Sequence, residues 1–183
     1  HPSNPLTELF PGGNPPASPL RVREVVENHS LAATLQRGTI LVWVQNVPGS
    51  TMPRLNTLSA LPVRCADLYH TLVGLNQWAQ WMPRFRQSSG TPAGRLGEQL
   101  HEVKTDGGVK TFQHRARFYH EESDGGAVCH WTLEQRGFRT DRGCTGLRKN
   151  DGTLTLVPLV AGEPETLMAY QIHIEPDVNR LLL

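Results

Sequence analysis

Histidine is the residue type that first invites a chemical reading, because the 183-residue chain carries eight, together with the cysteines Cys65, Cys129 and Cys144. A metal centre built from such residues usually announces itself by short local spacing, such as two histidines one helical turn apart with a glutamate between them. No histidines here form such a pair, and no two cysteines have the close spacing of a zinc or redox motif. The sequence therefore argues against a metal site, and no cofactor is expected. The thiols read as scattered free cysteines, with a Cys129–Cys144 bridge in an exported protein as the lesser alternative. Nucleophilic and phosphate chemistry lack their signatures too: there is no G-x-S-x-G elbow and no glycine-rich loop ahead of a helix. Proton transfer remains. His114 and Tyr170 fall, by strand alternation, on otherwise apolar faces. Buried polar side chains need partners. These two either satisfy each other or a buried water, or they orient a ligand's hydroxyl or carbonyl, and the two readings weigh evenly. His120 shares the face of His114 near a strand end, where solvent is the expected partner. His101, His130 and His173 point to solvent or are ambiguous.

The elements that would position these groups are legible in the hydrophobic pattern. Residues 20–36 predict a helix, with Val22, Val25, Val26, Leu31 and Leu35 recurring at spacings near three and four, Asn28-His29-Ser30 as the point where it would break, and Gly38 as its stop. Residues 39–47 are rich in β-branched types, Pro48-Gly49-Ser50 is a turn signal, and 55–61 returns as a second strand. The clearest helix is 66–75: Leu68, Leu72 and Leu75 form one stripe, Tyr69 and Val73 widen it, and Asp67 suits the first turn. Trp78, Trp81 and Met82 follow, and Pro83 ends any continuation.

Beyond Pro83 the pattern predicts strands over 98–105, 109–122, 127–135, 153–159 and 165–175. Asp106-Gly107-Gly108, Ser123-Asp124-Gly125-Gly126, Asn150-Asp151-Gly152 and Ala161-Gly162-Glu163 read as the hairpin turns between them, which makes the sheet an antiparallel meander. Alternation then sorts the faces. Phe112, His114, Ala116 and Phe118 oppose Gln113, Arg115 and Arg117; Cys129, Trp131 and Leu133 oppose His130, Thr132 and Glu134; Thr166, Met168, Tyr170, Ile172 and Ile174 oppose Leu167, Gln171, His173 and Glu175. Three strands with one dry face each must be covered or closed around something. For Trp78, Trp81, Met82 and Trp131 individually, core packing is the blander and somewhat better reading.

Composition sets outer bounds. Lysine and arginine exceed aspartate and glutamate by 18 to 17, so no basic excess points to nucleic acid. No stretch approaches the roughly 20 apolar residues of a membrane-spanning helix. Residues 1–19 contain six prolines and read as an extended arm that adds little stability, ahead of one domain over 20–183. Residue 1 is histidine, so compartment stays open between exported or periplasmic and cytoplasmic.

Four segments, in order, resemble a known family. Thr39-Ile-Leu-Val-Trp-Val-Gln-Asn-Val-Pro-Gly49-Ser50 resembles the opening strand and turn of bacterial START domains. Residues 65–83, with Leu68, Tyr69, Leu72, Trp78 and Trp81-Met82-Pro83 at matching positions, resemble the helix that follows there. Asn150-Asp151-Gly152-Thr-Leu-Thr-Leu-Val-Pro158 and Thr166-Leu-Met-Ala-Tyr170-Gln-Ile-His-Ile-Glu175-Pro176 resemble two late strands. Gly74 stands where the family usually has aspartate, and the family's Arg-Asp pair is Arg115-Ala116 here. The resemblance covers residues 36 to the end. It implies an α+β helix-grip (START/Bet v 1-like) fold of the START-like polyketide cyclase and lipid-transport superfamily: a curved antiparallel sheet around a hydrophobic cavity. The C-terminal helix would be short or missing, since few residues follow Pro176. Some other surface would then cover the cavity, with helix 20–36 favoured over the proline-rich arm or a second copy of the chain.

The implied function is binding or transfer of a lipid or other hydrophobic small molecule, with Trp78, Trp81, Met82, Phe112, His114, Phe118, Trp131, Met168, Tyr170 and Ile172 as candidate ligand contacts. No residue is assigned a catalytic or metal role under this reading, which favours a non-enzyme. The alternative is a polyketide cyclase or aromatase using His114 and Tyr170 for proton transfer. A third, blander option is a filled domain acting through a protein partner. Expected partners are the hydrophobic ligand, a membrane in transient contact and a homodimer mate, with no nucleic acid.

Overall fold

The computed structural model describes residues 19–28, 31–123, 125–159 and 164–177. The expected proline-rich arm (its last residue, Pro19, excepted), the expected turn at 161–163 and everything after Asp177 lie outside the described residues. Among the described residues nine strands form one sheet: β1 (Leu41–Gln45), β2 (Arg54–Leu61), β3 (Phe85–Pro92), β4 (Glu98–Asp106), β5 (Thr111–Ser123), β6 (Gly126–Leu133), β7 (Cys144–Thr145), β8 (Leu147–Pro158) and β9 (Thr166–Pro176). Their order is β1-β2-β9-β8-β6-β5-β4-β3, with β7 paired in parallel to β5 and every other pairing antiparallel. The expected meander is present, and the early strand pair joins it at β9. Among the described residues the helices are α1 (Pro19–Asn28), α2 (Ala32–Gln36), α3 (Cys65–Val73) and α4 (Trp78–Trp81), with a 3-10 turn at Leu75–Gln77.

The turn at Asp106 forms as expected: Gly108 takes φ 88° and donates its N–H to the Asp106 carboxylate at 2.8 Å. The expected turn at Asn150-Asp151-Gly152 does not form. These residues lie inside β8, which begins at Leu147. Gly152 is there for a packing reason: a Cβ on it would lie 2.1 Å from the Trp131 indole, whose Nε1–H donates to the Asn150 side chain at 3.1 Å. Only a strand residue without a side chain leaves room for that ring. Strand β3 lies outside the expected strands, because Ser88-Ser89-Gly90 offers no β-branched run.

Two cores lie on opposite faces of the sheet. On one, α3 and the Leu75 turn pack over Phe118, Ala127, Cys129, Leu154 and Leu156. On the other, Val22, Val25, Val26 and Leu35 meet Leu58, Val157, Leu167 and Ala169, all at 1% exposure or less. Strand alternation separates the two sets: Leu154 and Tyr170 pair on the first face, Val157 and Leu167 on the second. This overturns two expectations. Residues 20–36 form α1 up to Asn28 and α2 from Ala32, in keeping with the expected break, but they cover the outer face of the sheet, so they are no lid over the cavity. The strand positions opposite Tyr170 are not wet either. Leu167 is buried beneath that outer layer, and Gln171, His173 and Glu175 are buried as well, Gln171 donating to the Asn56 side chain at 2.7 Å and the other two meeting Ser50 of the β1–β2 turn. Cys129 is buried and all three cysteines are free, so the bridge to Cys144 does not form.

Candidate ligand cavity

Between α3, α4 and the inner face of the sheet lies a cavity of about 490 Å³, within the range of small-molecule sites. The β5 register places Phe112, His114, Ala116 and Phe118 in its wall while Arg115 and Arg117 bond carboxylates on the far side of the strand, Arg115 to Glu102 and Arg117 to Glu98 and Glu134. Strands β8 and β9 add Leu154, Tyr170 and Ile172, strand β6 adds Trp131, and Trp78 and Met82 come from α4 and the residue after it. Trp78 is oriented by its Nε1–H, donated to the Leu72 carbonyl at 3.0 Å.

Eight of the ten expected contacts therefore share one wall. The other two do not reach it. Trp81 is 43% exposed, because α4 is a single turn and turns its second tryptophan outward. Met168 packs into the core beside Leu156, above the cavity. Among the wall residues that sequence reasoning missed, His101 matters most. Its sequence position points to solvent or is ambiguous, yet it is 5% exposed, with Nε2 2.8 Å from the Ser88 hydroxyl and the Trp78 ring edge-on at 4.8 Å. Its strand runs Gln99, His101, Val103, Thr105 on the inner face, too polar to stand out by hydrophobic alternation. Phe85 and Asn150 were missed because their strand segments were.

The polar groups in the wall are held neutral. Burial pushes the His114 imidazole down to about 4, and burial together with neighbouring His114 pushes His101 down to about 3. Burial raises the Tyr170 phenol to about 12 and the Cys129 thiol to about 12. No lysine, arginine, aspartate or glutamate lines the cavity. His114 Nδ1 is enclosed and has no hydrogen-bond partner. His120 lies further along the same face. Its Nδ1 is 2.8 Å from the Tyr69 hydroxyl and its Nε2 is 3.3 Å from the Gln99 amide, which ties α3 to the sheet.

A second cluster has the composition of a hydrolytic triad. Ser50 Oγ sits 2.9 Å from His173 Nε2 and donates to Glu175 Oε2 at 3.0 Å. His173 Nε2 is also 3.1 Å from the Met52 carbonyl, which can only accept. Nε2 therefore carries the proton and cannot take one from Ser50. The serine hydroxyl ties the β1–β2 turn, where Gly49 has φ 76°, to β9; it is not an activated nucleophile. Among the described residues no cluster of three histidine, cysteine, aspartate or glutamate side chains could hold a metal ion, and no helix is long and apolar enough to cross a membrane.

No family model matches the chain, and no curated protein matches it at a significant level. Solved structures do. A STAR-related lipid transfer protein from Xanthomonas axonopodis (fragment 25–204) superposes with TM-score 0.65 at 25% identity, over 75% of this chain and 77% of that one. Human STARD10 superposes with TM-score 0.66 at 10% identity, over 75% of this chain and 58% of that one. The Zhui aromatase/cyclase from Streptomyces gives 0.54 at 12% identity, over 68% of each chain. The last two likenesses concern the fold alone.

Proposed function

We propose that this chain, a START-like helix-grip domain, binds a lipid or other hydrophobic small molecule inside its sheet. One observation carries the reading: a cavity of about 490 Å³ whose wall contains aromatic and aliphatic side chains and no charged one. A ligand there exchanges apolar surface against water for apolar contact, at roughly 25 cal/mol per Å². Phe112, Phe118, Trp131 and Ile172 would supply that contact, and His114 and Tyr170 the polar orientation. The similarity to a STAR-related lipid transfer protein supports the same reading. Ala116 tests it. It is 1% exposed and lies in the wall between His114 and Phe118. Ala116→Phe fills the cavity and should abolish uptake of a hydrophobic fluorescent dye while the far-ultraviolet circular dichroism stays that of the native sheet. Undiminished uptake by a folded Ala116→Phe variant would refute the site.

A second reading, proton transfer on a polyketide-like substrate, is favoured by one feature: His114 and Tyr170 line the same cavity, and the depressed His114 is a neutral base at physiological pH. It predicts that Tyr170→Phe and His114→Gln bind a poly-β-ketone but no longer turn it over. If no such substrate is consumed by the native protein, this reading falls and simple binding stands.

A further inference from the structure

Hydrogen-bond geometry fixes which ring nitrogen of His101 carries the proton. The Ser88 hydroxyl has one proton, and it goes to the Leu75 carbonyl at 2.6 Å, which can only accept. The Ser88 oxygen also lies 2.8 Å from His101 Nε2, so it accepts there and Nε2 is the N–H of the ring. Nδ1 is left with a lone pair, and with a folded value of about 3 the ring keeps that lone pair at physiological pH. Among the described residues no hydrogen bond reaches Nδ1. Nor is it enclosed: the enclosed side-chain atoms without a partner are His114 Nδ1 and Thr153 Oγ1. His101 Nδ1 is therefore open to the cavity that the residue lines, midway along β4 and opposite Ala116. The two indole donors of the wall are engaged within it. Trp78 Nε1–H goes to the Leu72 carbonyl and Trp131 Nε1–H to the Asn150 side chain. The Tyr170 hydroxyl can turn either to donate or to accept.

We infer that His101, with its proton held on Nε2 by Ser88, determines which ligands the cavity selects: neutral, largely apolar molecules that carry an O–H or N–H donor and give it to Nδ1. The inference rests on the reading of the cavity as a ligand site. A donor that leaves water for this wall must find an acceptor, and the Nδ1 lone pair supplies one. An ether or ketone at the same place sets lone pair against lone pair and leaves its own oxygen unpaired. An anion would lose its hydration where no charged side chain lines the wall to replace it.

1-Naphthol and 1-methoxynaphthalene share a ring system and differ in the O–H. Each is titrated at pH 7 against a hydrophobic dye bound to the native protein, to His101→Phe and to Ser88→Ala, with far-ultraviolet circular dichroism to check each fold. The ratio of the two displacing concentrations should favour the naphthol about tenfold more in the native protein than in His101→Phe, the scale of one hydrogen bond. Ser88→Ala removes the acceptor that keeps the proton on Nε2, so the ring can carry it on Nδ1 instead. That variant should lose the preference or reverse it while both probes still bind, whereas a purely structural loss would weaken both probes alike. Should His101→Phe fail to fold, Ser88→Ala alone decides. A ratio that is the same in the native protein and in the folded variants overturns the role of His101 and leaves the cavity reading intact. If the native protein binds neither the dye nor either probe, the cavity reading fails as well.

Discussion

Acidification should destabilise this protein well before its carboxylates titrate, and the size of the effect follows from two histidines in the cavity wall. His101 and His114 have folded values of about 3 and about 4, against 6.5 for the unperturbed side chain. Between these limits the unfolded chain binds protons that the folded chain refuses, so stability rises with pH and is lost as pH falls below 6.5. At pH 5 the unfolded histidine lies 1.5 pH units below its own value, which is about 2 kcal/mol per residue. Two such residues give about 4 kcal/mol, a large fraction of a typical domain's 5–15 kcal/mol. His120 and His130, also lowered by burial, act in the same direction. The assay is urea unfolding at pH 7 and pH 5. His114→Phe should remove about 2 kcal/mol of the difference. A stability that is flat between the two pH values, or a difference that survives the substitution, would mean that these rings are hydrated and that the cavity is not dry.

Two further predictions concern the sheet. Gly152→Ala puts a methyl within 2.1 Å of the Trp131 indole; it should cost about 1–3 kcal/mol by overpacking and weaken dye uptake, since the ring it displaces lines the cavity. A native unfolding midpoint and native uptake would contradict the account of that strand. Val25→Asp, at 1% exposure on α1, should lower stability by at least about 3 kcal/mol without raising dye binding by the protein that remains folded. Increased dye binding below the unfolding transition would show that α1 does shield the cavity.

The sequence made most of the cavity legible because three inner strand faces are apolar at every second residue. Phe112, Phe118, Trp131, Tyr170 and Ile172 could be grouped before any contact was known. The same rule failed where burial comes from a neighbouring layer instead of the strand's own pattern. Gln171, His173 and Glu175 look solvated along β9, yet the fold buries all three, Gln171 against Asn56 of β2 and the other two against Ser50 of the β1–β2 turn. His101 failed for a related reason, since its strand alternates polar with polar and only the fold turns one of those faces inward. Gly152 misled because asparagine, aspartate and glycine in a row is the signature of a tight turn, and the partner that explains it, Trp131, is remote in sequence. Trp81 failed on helix length, which decides where the second of two nearby tryptophans points.

Whether the cavity holds a hydrophobic molecule is read out by native mass spectrometry of the purified protein. The native protein should carry a bound mass that organic extraction releases as an apolar or amphiphilic compound, and that is absent from Ala116→Phe prepared in parallel. Bare protein in both preparations, with no mass taken up on incubation with dodecanoate, would contradict it.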